Sequence, residues 1–299
     1  MNRLLKKRSP LSSFILVLSI IILSYYIFIS IYPIFFNVYM SLSKTDLMTG
    51  WTFVWFKNYL SIFKDPIFLK AFLHNIYYLV VMVSVGIGSS LIIATLIHRT
   101  SGFAKRAYIA MFFVPVVTSL VAVSLIWKLL YYPNVGIFAK IISNVLNLSP
   151  PLFLADPKTA LISIIFMDIW KDTGLRTVIL HAGMEEIPES IYDASRIDGA
   201  SAISHFFKIT IPLLRPQIIF LSAVYSINAM RVFTQIYMMT GNPPGGPAHS
   251  TQVLVIRMYQ EAFYATKFGK GAAIAMIVFI LLFGLVILEV KSFQQKWEY

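Results

Sequence analysis

The sequence lacks cysteine altogether and has few charged residues, and both shortages limit what this protein can be. Without cysteine, it can form neither disulfide bonds nor thiolate metal sites. Only 13% of the 299 residues are charged whereas 58% are hydrophobic, a balance too apolar for an ordinary soluble domain. The composition therefore predicts an all-α, polytopic membrane protein.

Motifs for catalysis and nucleotide binding are missing as well. The phosphate-binding pattern GxxxxGK[ST] does not occur, because its nearest approach, residues 268–271, lacks the first glycine and the hydroxyl residue. No GxSxG nucleophile motif occurs either. None of the five histidines has a second ligand at a spacing such as HExxH, so each is expected to be structural or interfacial: His74, His98, His181, His205 and His249. These absences predict a chain that is not an enzyme and that binds no metal or cofactor itself.

Long apolar runs are what the sequence has in abundance. About 20 apolar residues are needed to cross the hydrocarbon core of a bilayer as a helix. The runs predict six transmembrane helices in one domain over residues 1–299, at about 14–40, 74–97, 107–130, 159–181, 213–239 and 271–290. An even number of spans places both termini on the same side of the membrane.

The net charge of +12 bears on partners and on orientation. A basic excess is typical of proteins that bind nucleic acid or anionic lipid, but in so apolar a chain we expect membrane lipids and no nucleic acid. With the N-terminus inside, twelve Lys and Arg residues fall in inner segments and ten in outer ones. The inner charges also lie in shorter segments directly beside the spans, which favours cytoplasmic termini.

A polar island rich in helix breakers lies between the fourth and fifth predicted spans, at residues 186–216. Proline suits the first turn of a helix and glycine the position just past its end. Pro188, Gly199 and Pro212 therefore predict two short helices with a bend at Asp198-Gly199, a hairpin over 186–212 on the cytoplasmic side. The alternative is an amphipathic element that lies on lipid headgroups.

Two predicted spans carry polar stripes, which suggest a route for a polar solute. Four charged residues of the fourth span share one helical face because their separations are three and four: Asp168, Lys171, Asp172 and Arg176. The fifth span has a similar stripe of Asn228, Arg231 and Gln235. A charge near the bilayer centre costs at least ~2.5 kcal/mol, so such a face should point into protein or a wet cavity. Alternatively, the charges neutralise one another or lie near an interface.

The hairpin also carries a resemblance to a known family. Its ordered segments are Ile187-Pro188, Tyr192-Asp193-Ala194-Ser195, Ile197-Asp198-Gly199-Ala200 and Ile209-Thr210-Ile211-Pro212-Leu213-Leu214. They resemble the EAA motif of binding-protein-dependent ABC importer permeases, particularly the sugar-type branch related to the maltose importer. The likeness continues through Phe233, Tyr237, Thr240, Gly245-Gly246-Pro247, Tyr259, Ala262-Phe263 and Phe268-Gly269. It differs where Asp193-Ala194-Ser195 replaces Glu-Ala-Ala, where Thr234 replaces a frequent Asp, and where residues 242–244 look inserted.

The resemblance implies a type I ABC importer permease in a prokaryotic cell membrane. In that family the first hairpin helix couples to a separate ATPase, which here would involve Glu189, Tyr192, Asp193, Ala194, Ser195, Asp198 and Gly199. The implied partners are two copies of an ABC ATPase that holds ATP and Mg²⁺, a second homologous permease, and an extracytoplasmic solute-binding protein. The implied cargo is a carbohydrate, either an oligosaccharide or a polyol.

Two other classes of protein remain as alternatives. A self-contained secondary transporter could use the charged fourth span as an ion relay, but such folds usually have inverted repeats and correspondingly broken helices, and the sequence has no evident repeat. A membrane enzyme is disfavoured by the absence of a clustered nucleophile, base or metal set.

Overall fold

A computed structural model describes residues 10–46, 50–197 and 199–293 of the chain. Most of these residues are helical. The first part contains α1 (Pro10–Tyr26), α2 (Tyr32–Ser41), β1 (Ser43–Asp46), β2 (Gly50–Phe53), α3 (Lys57–Phe63), α4 (Pro66–His98), α5 (Gly102–Val117), α6 (Leu120–Leu130) and α7 (Ile137–Val145). The second part contains α8 (Ala160–Glu185), α9 (Glu189–Ile197), α10 (Ala202–His205), α11 (Ile211–Leu213), α12 (Arg215–Met230), α13 (Thr234–Met239), α14 (Leu254–Tyr259) and α15 (Phe268–Phe293).

Three single-turn π-helices connect some of these elements. They lie at Ile27–Ile31, Phe206–Thr210 and Gln260–Tyr264. The first of them joins α1 and α2, so that the chain is helical from Pro10 to Ser41. The second joins α10 and α11 within the hairpin, and the third extends α14.

Several helices have the length and apolar character of a membrane span. Among the described residues, three qualify alone, Phe14–Ser41, Pro66–His98 and Phe268–Glu289, and up to five qualify if each of two bent pairs is one span. The 26-residue helix α8 covers the predicted fourth span and carries its four charged residues. Each of the six predicted segments therefore contains helix. Helix α4 begins at Pro66 and not near residue 74, because Asp65 caps it and Pro66 occupies its first turn.

Two predicted spans are not continuous helices, which corrects the expectation for 107–130 and 213–239. In the first, α5 and α6 meet at an angle of 98°. Pro115 lies inside the last turn of α5, and the backbone becomes extended at Thr118, where the helix ends. In the second, the helix is interrupted between Met230 and Thr234, and α10–α11 meets α12 at 68°.

The core of the bundle surrounds α8, which packs against α4, α5 and α12. Buried side chains from these helices, such as Tyr78, Ile164, Leu180 and Tyr225, belong to one hydrophobic cluster. The α5 backbone approaches α8 so closely that a Cβ at Gly174 would lie 2.0 Å from the carbonyl oxygen of Phe112. The charged stripe of α8 is therefore enclosed mainly by protein.

A partly buried ion network joins the start of α4 to α14 and α15 at one end of the bundle. Arg257 contacts Asp65 and Glu261, each at 2.5 Å, and Lys270 lies 3.0 Å from Glu261. Burial alone would raise the pKa of Asp65. The hydrogen bond and charge of Arg257, the amide of Ile67 and the charge of Lys270 together lower it by more, so the pKa lies below its usual 3.8. The antiparallel β1–β2 hairpin lies at the same end, where the Ser43 carbonyl abuts Gly269 of α15.

Candidate functional site

The hairpin between α8 and α12 consists of two short helical arms. Helix α9 ends in a Schellman motif, in which the Gly199 amide donates to the Arg196 carbonyl at 3.0 Å and the Ala200 amide to the Ser195 carbonyl at 3.1 Å. Gly199 has φ +74°, a conformation that glycine adopts without strain. The second arm runs from Ala202 to Leu213, with Ser201 capping its start. Asp198 lies outside the described residues.

Two of the predicted coupling residues hold the arms together. The Tyr192 ring stacks on His205 at a centroid distance of 6.3 Å, and its hydroxyl lies 3.3 Å from Thr210 Oγ1. Ser195 Oγ lies 3.4 Å from His205 Nε2, which also contacts the Ala200 carbonyl oxygen at 3.0 Å. These contacts stabilise the hairpin as one unit, and they leave Tyr192 and Ser195 only partly accessible.

The other predicted coupling residues that the structure describes are exposed on the hairpin. They are Glu189, Asp193, Ala194 and Gly199, and Asp193 pairs with Arg196 at 2.9 Å. Three large apolar side chains that sequence reasoning did not select are also exposed there: Ile197 at 86%, Ile203 at 73% and Phe207 at 62%. Exposed apolar side chains in so polar a segment indicate a surface that contacts a partner protein or the membrane.

A groove of about 950 Å³ separates the hairpin from the ends of α4 and α8. Its walls include His98, Glu185, Glu189, Tyr192, Arg196 and His205. The hairpin is separated from the bundle along this groove, whereas Ile187, Phe206 and Ile211 pack against the core cluster. We call this end of the molecule the hairpin end.

A second cavity, of about 360 Å³, is an open cleft beside the interruption between α12 and α13. Six of the seven predicted pathway residues line it: Asp168, Lys171, Asp172, Asn228, Arg231 and Gln235. The structure therefore brings the polar stripes of the fourth and fifth predicted spans to one place. Its two acidic and two basic side chains balance one another in formal charge.

The floor of the cavity is a hydrogen-bonded carboxylate. Asp168 is buried and accepts hydrogen bonds from the Tyr78 hydroxyl at 2.7 Å and the Gln235 amide at 2.9 Å. Lys171 donates to the Val116 carbonyl at 3.3 Å, and its Nζ lies 3.6 Å from Asp172 Oδ1. The buried members are thus fixed by protein contacts, whereas Asn228 and Arg231 are exposed and can contact a solute.

Arg176 lies deeper, in the core between α4, α8 and α12. Its guanidinium is fully buried, with Cζ 4.4 Å above the Tyr225 ring and Nη2 2.6 Å from the Ile169 carbonyl. The absence of a side chain at Gly86 leaves room for it, since a Cβ there would lie 3.2 Å from Cζ. Arg176 therefore has a packing role in this conformation, although it shares the α8 stripe with the cavity residues.

Arg231 lies at a break in the helix and Gln235 just beyond it, both at the cavity, and helical spacing did not predict this break. Helix α12 ends at Met230, and Phe233 has φ −145° and ψ −60° before α13 begins. Asn75 of α4 stabilises the interruption: its amide donates to the Ala229 carbonyl at 3.0 Å, and its Oδ1 accepts from the Leu254 amide at 2.7 Å. No local signal in the sequence indicates the interruption, because the asparagine that stabilises it lies on another helix.

Two histidines far apart in sequence meet at the hairpin end. His98 ends α4, while His181 and Glu185 lie one turn apart near the end of α8. Glu185 Oε1 lies 3.1 Å from His98 Nδ1 and 3.8 Å from His181 Nε2. Lys105 also donates to this oxygen at 2.9 Å. The expectation that no histidine has a second ligand was based on spacing along the chain. Such spacing does not show that histidines from two different helices lie close together.

Comparison with known proteins places this architecture in a family. Residues 86–292 match the model for the "Binding-protein-dependent transport system inner membrane component". The chain is 31% identical over 274 residues to "Probable ABC transporter permease protein YurN" of Bacillus subtilis (strain 168), with 89% of this chain and 91% of that protein covered. It is 39% identical over 171 residues to "Trehalose/maltose transport system permease protein MalF" of Thermococcus litoralis, with 56% of each covered.

Structural comparison gives the same fold. The "bacterial alginate ABC transporter in complex with alginate pentasaccharide-bound periplasmic protein" contains a chain that matches with a TM-score of 0.79 at 19% identity, and 96% of both chains is covered. The expected type I permease fold is therefore confirmed. This chain belongs to the family of binding-protein-dependent transport system inner membrane components, the membrane-embedded permeases of ABC transporters.

Proposed function

We propose that this chain forms half of the translocation pathway of an ATP-driven carbohydrate importer. The observation that carries the proposal is the cavity at the α12–α13 interruption, where seven polar residues from two predicted spans meet in an otherwise apolar bundle. A polar solute that leaves water needs replacement hydrogen bonds, and this cavity offers both donors and acceptors. A second, homologous permease would supply the other half of the pathway.

Energy for transport would come from ATPase subunits that dock on the hairpin. The chain has no nucleotide-binding motif of its own, so ATP and Mg²⁺ would bind to two partner ATPases. The exposed surface of Glu189, Asp193, Ala194 and Gly199, with Ile197 beside them, would enter a groove on one ATPase. Because α9 follows directly from α8, a displacement of the hairpin would reach the helix that lines the cavity. The hairpin and both termini would then be cytoplasmic.

Carbohydrate is the cargo class that the cavity and the relatives favour together. The lining has balanced charges, so it does not select a strongly anionic or cationic solute. Phe233 lines the cavity and stacks on Tyr237 at 5.3 Å, and Tyr259 is tilted against Phe233 and edge-on to Tyr237. Aromatic faces and hydrogen-bonding groups together suit sugar rings, which have apolar faces and hydroxyl edges. A solute-binding protein on the outer side would deliver the sugar to the permease pair.

The proposal is tested by uptake of radiolabelled sugar into proteoliposomes that contain the complete importer. Asp172→Leu and Arg231→Leu should each abolish uptake, because they remove charged groups that face the cavity, while the amount of inserted permease stays the same. Lys140→Leu, an exposed charge on α7, is the matched control and should transport normally. Undiminished uptake in both cavity variants would contradict the pathway.

A further inference from the structure

The histidine cluster at the hairpin end has the composition of a transition-metal site. His98, His181 and Glu185 each offer one ligand atom, and these three atoms lie within 4.8 Å of one another. His181 and Glu185 are separated by four residues on α8, so they point the same way from one helical face. His98 approaches from α4, the neighbouring helix. Two imidazoles and one carboxylate are a ligand set that suits Zn²⁺.

The surroundings allow a metal to enter and to be coordinated. His98 and Glu185 line the groove below the hairpin, so an ion and a coordinating water can reach them from solvent. The His181 side chain is only 7% exposed and directs its Nε2 towards Glu185, 3.8 Å from Oε1. Zn–N and Zn–O bonds are about 2.0–2.2 Å long, so small side-chain rotations inward would complete three bonds and leave a fourth position open.

A cation already occupies part of this site. The Lys105 ammonium lies 2.9 Å from Glu185 Oε1, the same oxygen that both histidines approach. The side chain of Lys105 is 24% exposed and comes from the start of α5, so it can swing outward when another cation binds. Its charge at this position shows that the cluster favours a positive group beside the carboxylate, and it makes Lys105 the competitor of an incoming metal.

We propose that His98, His181 and Glu185 form a binding site for a divalent transition metal such as Zn²⁺, which bridges the ends of α4 and α8. Bound metal would join two helices immediately before the chain enters the hairpin at Glu189. The bridge would therefore oppose relative movement of α4 and α8 where the hairpin is attached. This regulatory consequence rests on the proposed function, whereas metal binding itself does not.

Zn²⁺ binding to the purified permease–ATPase complex tests the site directly. Titration against a chromophoric chelator should show one more tightly bound Zn²⁺ per permease in the wild type than in His181→Ala or Glu185→Gln. Glu185 is half exposed, so its substitution by glutamine should not disturb folding, and a loss of Zn²⁺ binding in this variant would not be due to misfolding. His249→Ala, which removes an exposed histidine elsewhere, should bind as much as the wild type. Equal stoichiometry in the wild type and both ligand variants would overturn the site.

Two further measurements sharpen the result. Lys105→Met should bind Zn²⁺ more tightly than the wild type, because the competing ammonium is gone; unchanged or weaker binding would contradict the assigned geometry. Zn²⁺ should also slow binding-protein-stimulated ATP hydrolysis in the wild type but not in Glu185→Gln. Binding without any such inhibition would overturn the regulatory consequence while leaving the site and the transport function intact.

Discussion

The hairpin and the polar cavity are both rich in polar residues, yet they are stabilised in opposite ways. The hairpin is held by contacts between residues close in sequence, such as Tyr192 with His205, and its outer face is exposed. The cavity is held by contacts over long separations, such as Tyr78 with Asp168 across 90 residues, and its floor is buried. A surface for a partner has to remain free to bind, whereas a pathway has to keep its groups in place.

This contrast predicts that the same kind of substitution costs very different amounts of stability in the two regions. A buried polar group that loses its partner is left unsatisfied, whereas an exposed group finds water. The loss should therefore be largest at the buried floor of the cavity and smallest on the open surface of the hairpin.

The largest loss of stability is expected for Asp168→Leu. The substitution leaves the Tyr78 hydroxyl and the Gln235 amide without their acceptor, at a cost of about 2 kcal/mol for the two groups in a membrane bundle. Thermal unfolding of the detergent-solubilised permease should show a clearly lowered midpoint. Tyr78→Phe, which removes a single donor, should lower it less. A midpoint equal to that of the wild type would mean that the cavity floor is not held as described.

A smaller loss is expected for Asp65→Asn in the ion network at the opposite end from the hairpin. The neutral side chain can still accept from Arg257 but loses its charge, which should cost about 1 kcal/mol. The pKa of Asp65 is lowered in the folded state, so its contribution to stability is present above its usual value of 3.8 and is lost as pH falls through the folded pKa. Acid unfolding should therefore show a smaller difference between variant and wild type at the lowest pH; a constant difference would contradict this assignment.

The smallest effect on stability is expected for Asp193→Ala. Its ion pair with Arg196 is exposed on both sides, at 57% and 65% of the side chains, and such pairs contribute below about 0.5 kcal/mol. The unfolding midpoint should not change, whereas the amount of ATPase that co-purifies with the permease should fall because a docking carboxylate is lost. A destabilised permease with normal ATPase binding would contradict the account, because Asp193 would then stabilise the fold and not contact the ATPase.

The hairpin could be predicted from the sequence because its signals are local. Pro188 favours the start of a short helix and Gly199 its end, whatever the rest of the chain does. The structure shows the Schellman motif that such a glycine favours. The polar stripe of α8 was also visible, since separations of three and four define a helical face. These features depend on residues within one or two turns of each other.

Other features could not be predicted because they depend on contacts between distant segments. Arg176 shares the spacing of the cavity residues, but its side chain lies in the core. There it fills the space beside Gly86 and packs over the Tyr225 ring. The interruption between α12 and α13 depends on Asn75, more than 150 residues away. The meeting of His98 with His181 follows from the packing of α4 against α8. Periodicity identifies the face of a helix but not the helix that it meets.

The central claim, that the hairpin transmits ATP hydrolysis to the pathway, is tested most directly by one measurement. ATP hydrolysis stimulated by the sugar-loaded binding protein should be compared in proteoliposomes with wild-type permease, Gly199→Val and Gly284→Val. A side chain at Gly199 is strained at φ +74°, whereas Gly284 is exposed in α15 and has open space around it. We expect Gly199→Val alone to lose stimulation and uptake while the bundle remains folded. Full stimulation in Gly199→Val would contradict it.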